Sequence, residues 1–220
     1  MLAHVNGSRE GRSEPPGLLQ LIEASVIGLG SRRIRLGRKR RMALPDDLAA
    51  VLVVITGRLV ATTNSIHGHE TFVADVGPGE LVGEAFALEG PQVPLAVRVE
   101  EAGETYWFET ARFVALLESN AAFAAAAVRE VCRRQSRMLQ RLGEIATLPM
   151  PRRLVAELAR LAQASPSGTV IPRLPTHEDL ARRVATQREA VTKELSRLRR
   201  SGAVRSEGDG LRLVGAGWRV

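Results

Sequence analysis

The stretch T-H-E-D-L-A-R-R-V-A-T-Q-R-E-A-V-T-K-E-L-S-R-L-R-R-S, Thr176 to Ser201, reads as two helices joined by a tight turn. Thr176 has the chemistry of an N-cap, with Asp179 where a capping box usually carries Glu or Gln. Leu180 and Val184, four apart, give the first helix one apolar stripe. Thr186-Gln187-Arg188-Glu189 has the form of a full capping box, so the spacing predicts a second helix from about Gln187. Val191, Leu195 and Leu198 follow at i, i+4 and i+7 and bury one face. Arg188, Glu189, Thr192 and Lys193 cluster on the other face, because 188/192 and 189/193 are i, i+4 pairs.

A short helix, a turn, and a helix with polar and basic groups at its exposed start is the layout of a DNA-reading helix-turn-helix. The major groove presents two acceptors on guanine and an amino donor on cytosine. Arg188 and Lys193 suit guanine, and Glu189 can accept from cytosine. A carboxylate here repels phosphate, so Glu189 either points at a base edge or caps its own helix. Gln187 and Thr192 stand beside these three. Thr176, His177 and Thr186 lie at the helix starts, where N–H groups meet phosphates.

The run R-E-A-V-T-K, Arg188 to Lys193, resembles the R-E-T-V-x-R recognition sequence of the cyclic-AMP receptor protein/FNR (CRP/FNR) family. The resemblance implies a winged helix-turn-helix with Arg188, Glu189 and Lys193 at the base-reading positions. Lys193 departs from the receptor protein's arginine: it keeps the charge and loses the two-pronged fork. The FNR branch carries an uncharged residue at the first position, so Arg188 places this chain with the cyclic-AMP receptor branch.

The charge is distributed in the same sense. The net +7 of the 220 residues resides entirely in residues 147–220, which hold 14 Lys+Arg against 7 Asp+Glu; residues 1–146 hold 17 of each. A basic excess confined to the helix-turn-helix half is an electrostatic footprint for nucleic acid. One cysteine, Cys132, excludes a disulfide framework and a cysteine-rich metal site. No apolar run has the length of a membrane span and no apolar signal core opens the chain, so a cytoplasmic protein with no membrane partner is expected. No nucleophile–base pair, metal-ligand spacing or P-loop is present, so an enzyme is not expected.

Toward the N-terminus the first thirty residues read as loosely ordered, with a short helix at Leu18–Ile22. From Ser31 short strands follow, at Arg33–Leu36, Val51–Ile55, Arg58–Thr63, Thr71–Val76, Val93–Val99 and Glu104–Phe108, with Ser65–His69 a hairpin tip. Gly and Pro turns at this spacing predict an antiparallel barrel or jelly roll. V-I-T-G-R-L and G-P-G-E-L-V-G-E (Gly77 to Glu84) resemble the family's barrel and the entry to its phosphate-binding cassette. The resemblance thus runs from about residue 31 to the C-terminus. It implies an effector pocket in which Gly83 and Glu84 keep the position that meets the ribose. The Arg and Ser or Thr that hold a cyclic nucleotide's phosphate fall near Val93-Pro94-Leu95, which offer no side-chain donor. Arg98 is the nearest guanidinium that would substitute. The family's polar pair against the base falls on Met138-Leu139. Cyclic AMP is therefore not expected as a ligand. His67 and His69 read as a solvated hairpin with no second ligand nearby, so haem and other cofactors are not expected. Arg38-Lys39-Arg40-Arg41 reads as a solvated loop.

Val128, Val131, Gln135, Met138, Leu142 and Ile145 recur at 3, 4, 3, 4, 3, an a/d seam that favours two helices packing along each other. This matches the family's long interface helix and predicts a homodimer. Cys132, beside the seam, reads as a packing residue. Thr147-Leu148-Pro149-Met150-Pro151 ends the helix and marks the hinge. Leu154, Leu158 and Leu161 open the next domain, and Val204–Val214, with Gly208-Asp209-Gly210 at its tip, reads as the wing.

The expectation is an α+β chain: a β-barrel or jelly-roll sensor domain of cyclic-nucleotide-binding type (1–119), a dimerisation helix (120–146), and a winged helix-turn-helix (147–220). Its expected function is sequence-specific DNA-binding transcription regulation as a homodimer on a palindromic site, with RNA polymerase a partner the resemblance allows. A small-ligand sensor without transcriptional output and a nucleoid-type structural binder are the alternatives from other classes.

Overall fold

The computed structural model describes residues 16–25, 30–38, 40–44, 49–64, 70–90, 94–163, 165, 169–215 and 218. The elements run α1 (Leu18–Glu23), β1 (Arg32–Leu36), β2 (Arg41–Leu44), β3 (Ala50–Val54), β4 (Arg58–Asn64), β5 (Glu70–Val76), β6 (Leu81–Val82), α2 (Glu84–Glu89), β7 (Leu95–Glu101) and β8 (Gly103–Glu109). They continue with α3 (Thr110–Ser119), α4 (Ala121–Thr147), α5 (Met150–Gln163), β9 (Val170–Ile171), α6 (His177–Arg183), α7 (Arg188–Arg200), β10 (Val204–Glu207) and β11 (Gly210–Leu213). The expected hairpin tip with His67 and His69, and Lys39 of the basic run, lie outside the described residues.

The N-terminal strands form two antiparallel sheets, β1-β8-β3-β6 and β2-β7-β4-β5. Their inner faces share a core of Leu52, Val54, Leu59, Val76, Val97 and Val99. β3 is buried at every position, which is why its sequence is an unbroken apolar run rather than an alternating one. Two glycines are needed on steric grounds. A Cβ on Gly103 would lie 1.9 Å from the Thr56 carbonyl oxygen; one on Gly83, at φ +99°, would lie 2.4 Å from that of Ala50.

The sequence leaves β2, β6, β9, α2 and α3 unassigned, and Arg41, read with the basic run as a solvated loop, instead opens β2, where it pairs with Glu70 at 2.7 Å. α3 covers the outer face of the β1-β8-β3-β6 sheet, where Val51, Val53 and Phe108 point away from the inner core: Phe113 packs against Phe108 and Phe123 with ring centroids 6.3 and 5.7 Å away. Asn120 then breaks the helical run and accepts a hydrogen bond from the Phe123 N–H at 3.0 Å, starting α4. The apolar anchors of α4 on the barrel lie in its first turns, at Phe123, Ala126 and Ala127. Apolar residues on another face are uncovered: Val128, Leu139 and Leu142 are 60%, 60% and 62% exposed. Cys132, beside this stripe, is exposed in the single chain as well. Among the described residues no single helix is long and apolar enough to cross a membrane.

Leu148 and Pro149 separate α4 from α5. The C-terminal domain has its own core of Leu154, Leu158, Leu180, Val191, Leu195 and Leu211, with neighbours from every element. β9, β10 and β11 form its three-stranded antiparallel sheet, and β10 and β11 are the hairpin.

Candidate nucleic-acid interface

Thr176 caps α6 as its sequence predicts. Its hydroxyl oxygen accepts from the Asp179 N–H at 3.1 Å and the hydroxyl donates to the Asp179 carboxylate at 2.7 Å. Leu180, Ala181 and Val184 are buried against α7. The turn passes through Ala185 at φ +52°, the one non-glycine residue with positive φ among those described. The Thr186 N–H donates back to the Ala181 carbonyl at 3.0 Å. α7 therefore starts later than a Thr186 cap requires: its N-cap is Gln187, with no side-chain cap hydrogen bond. The Thr186–Glu189 capping box does not form. Its spacing was right, but the backward hydrogen bond of Thr186 belongs to the turn.

Glu189 is therefore an exposed acidic group in the first turn of α7, not the second half of a capping box. Val191, Leu195 and Leu198 face the core, so Arg188, Glu189, Thr192 and Lys193 share the outward face, all exposed. The Thr192 hydroxyl donates to the Arg188 carbonyl at 2.9 Å, and His177 Nδ1 lies 2.8 Å from Thr192 Oγ1. With that hydroxyl proton committed, Nδ1 carries the hydrogen and donates to Thr192. Burial, then the charges of Arg199 and Arg188, hold the imidazole below the ordinary histidine range, so it is neutral near pH 7. Gln187 and Thr186 lie at the turn beside this face, and Arg205 and Arg212 of the wing are exposed.

The residues expected in an effector pocket separate. Glu84 is buried, and its carboxylate is paired with Arg134 of α4, whose other nitrogen donates to the Leu81 carbonyl at 2.7 Å. Its second oxygen, Oε2, is buried without a hydrogen-bond partner among the described residues. Arg98 does not join them. Val97 and Val99 fill the barrel core, so Arg98 projects from the opposite face and binds Asp179 of α6 at 2.7 Å. Met138 and Leu139 are exposed on α4. Among the described residues no group of three or more His, Cys, Asp or Glu side chains is placed to hold a metal.

A buried ion pair of the C-terminal domain was missed by sequence reasoning. Arg183 of α6 and Glu157 of α5, 3% and 1% exposed at their side chains, are bonded at 3.0 Å. The signal was present: Glu157 lies between Leu154 and Leu158 on an otherwise apolar face, and Arg183 directly precedes buried Val184. Charged residues on buried faces require partners.

A three-helix core, a beta wing and an exposed polar helix start define a winged helix-turn-helix DNA-binding domain, here following a double-sheet domain and a long helix. Residues 152–214 match the family model of the Crp-like helix-turn-helix domain. No curated protein matches the chain in sequence. Among solved structures, the c-di-GMP responsive global regulator CLP of Xanthomonas campestris is similar, with 20% identity, TM-score 0.71, and 86% of this chain and 96% of that one covered. A putative transcriptional regulator of the Crp/Fnr family from Eubacterium rectale is similar at 15% identity and TM-score 0.71, covering 87% and 88%. FixK2 from Bradyrhizobium japonicum is similar at 14% identity and TM-score 0.70, covering 84% and 93%. The C-terminal domain thus matches the Crp-like helix-turn-helix model, and the chain has the fold of CRP/FNR transcription regulators.

Proposed function

We propose that the chain is a cytoplasmic homodimeric transcription regulator that binds a palindromic DNA site and does not use cyclic AMP as its effector. The observation that carries this reading is the division of α7: Val191, Leu195 and Leu198 are buried, while Arg188, Glu189 and Lys193 are exposed and make no ion pair among the described residues. Such a helix start enters a major groove. Arg188 and Lys193 donate to guanine O6 and N7, and Glu189 accepts from a cytosine amino group. N–H groups at the starts of α6 and α7, with Thr176, Thr186, Gln187 and His177 nearby, meet phosphates.

The uncovered stripe of Val128, Met138, Leu142 and Ile145 supports the dimer. Exposed aliphatic residues in an a/d pattern gain their burial from a second copy of the same helix, with Val131 and Gln135 in the same seam. RNA polymerase is a further partner for a regulator of this kind. Against cyclic AMP stand Pro94 and Leu95, which have no side-chain donor for its phosphate, and the commitment of Arg98 to Asp179.

A second reading, a regulator responsive to another small ligand, is favoured by the unpartnered buried Oε2 of Glu84. A buried carboxylate oxygen without a donor is costly, and a ligand hydroxyl would satisfy it. Selection of bound sequences from random DNA by the purified chain tests the main reading. Enrichment of an inverted repeat with half-sites about one helical turn apart is expected; no enrichment overturns it.

A further inference from the structure

α6 is held against the barrel by charge. Arg183 binds both carboxylate oxygens of Asp75 on β5, at 2.6 and 2.7 Å, across 108 residues of sequence. Glu157 of α5 holds the same guanidinium at 3.0 Å, and Arg141 of α4 binds Glu157 at 2.8 Å and the Arg183 carbonyl at 3.0 Å. The guanidinium groups of Arg141 and Arg183 both lie over the Phe72 ring, 4.3 and 4.4 Å from its centroid. Barrel, long helix and DNA-binding domain therefore converge on Arg183. Arg98–Asp179 at 2.7 Å and Arg182–Glu70 at 3.1 Å flank it. Burial alone would raise the Asp75 carboxyl. The charge and hydrogen bonds of Arg183, then Arg58 and Arg141, hold it below the ordinary carboxylate range.

Ion pairs of this kind add little net stability, because desolvation offsets the attraction; what they fix is geometry. The geometry at stake is that of α7. Only residues 184–187 separate α6 from α7, and the two helices share the core of Leu180, Val184, Val191 and Leu195. Pinning α6 therefore pins α7. The covalent link between the domains is Leu148-Pro149, beside which Arg160 of α5 binds Glu144 of α4 at 2.6 Å. We propose that Asp75 of the barrel is a positioning residue for DNA recognition: through Arg183 it sets the orientation of the helix-turn-helix, and with it the separation of the two recognition helices in a dimer. The proposal rests on the dimeric DNA-binding reading above.

Adding or removing one base pair between half-sites displaces them by roughly 3.4 Å and rotates them about the axis, which a pinned pair of helices tolerates poorly. The experiment measures affinity for the selected palindrome and for versions with one base pair inserted or deleted, using the full chain and Asp75→Asn. Asparagine keeps the volume and removes the charge. The wild-type chain is expected to prefer its own spacing strongly, and the ratio of affinities to fall at least about fivefold in Asp75→Asn, converging toward equal binding. Loss of folded protein lowers all three affinities together and leaves the ratio intact, so a merely structural role does not mimic the effect. Should Asp75→Asn fail to fold, the ratio is read on Arg183→Lys, which keeps the charge and loses the fork. An unchanged ratio in the folded variant overturns the proposal. A wild-type chain with no sequence preference overturns the DNA-binding reading itself, a distinguishable result.

Discussion

His177, the first residue of α6, and Thr192, one turn into α7, are joined by a 2.8 Å hydrogen bond that ties the start of one helix to the outward face of the other. The charges of Arg199 and Arg188 on α7 act on the ring, and Glu178 and Asp179 follow it in the first turn of α6. Because the folded imidazole is held below the ordinary value near 6.5, the unfolded chain takes up its proton first as pH falls. Stability from this group is thus full above about pH 6.5 and is lost below it. A phosphate beside the ring acts in the opposite direction, raising its pKa, so the DNA complex binds more protons than the free protein. DNA affinity is expected to rise as pH falls from about 7 to 5. Titrations across that range check this: His177→Asn is expected to flatten the slope, and an identical slope in the variant contradicts it.

Leu142→Asp places a charge in the middle of the uncovered stripe, where the side chain is 62% exposed in a single chain. Folding of the monomer is expected to be unaffected, while dimerisation and DNA binding fail together. Sedimentation and a DNA titration read both. A variant that still sediments as a dimer places the interface elsewhere.

Ala185→Gly relieves a left-handed backbone at φ +52°. The left-handed conformation costs a residue with a Cβ about 1–2 kcal/mol, part of which the greater unfolded-state freedom of glycine removes again. A net gain of about 0.5–1 kcal/mol in chemical denaturation is expected. A loss would mean that the methyl group contributes packing that outweighs the strain.

Calorimetric titration with cyclic AMP and cyclic GMP is expected to give no micromolar binding, because the position of Pro94 and Leu95 supplies no anion donor and Arg98 is engaged by Asp179. Binding that also tightens the DNA complex would contradict the effector assignment.

Helices with one buried face were legible because their period survives in the sequence: Val191, Leu195 and Leu198 are where the pattern puts them. Most strands were legible from their turns, while β2 lay hidden behind a basic run and β6 and β9 are only two residues long. Three features were hidden for physical reasons. α3 runs into α4 with no composition change, and only the extended backbone of Asn120 separates them. The start of α7 depends on a left-handed Ala185, a conformation its sequence does not announce. The Asp75–Arg183 junction joins residues 108 apart, a pairing that no local spacing encodes. Arg98 was decidable from strand parity, since Val97 and Val99 claim the inner face. Base contacts at Arg188, Glu189 and Lys193 rest on placement at the exposed start of α7, and the decisive evidence for them is energetic.

The most direct test is the affinity of wild-type chain and Arg188→Ala for the selected palindrome, for every single-base change in it, and for a scrambled duplex, at one salt concentration. Wild-type binding is expected to favour the palindrome over the scrambled duplex by on the order of 10³ or more. Arg188→Ala is expected to lose about 1–3 kcal/mol on the palindrome, with discrimination relaxed at one guanine of each half-site. An equal loss on the palindrome and the scrambled duplex, with no position relaxed, would reduce Arg188 to a phosphate contact and contradict sequence-specific readout by α7.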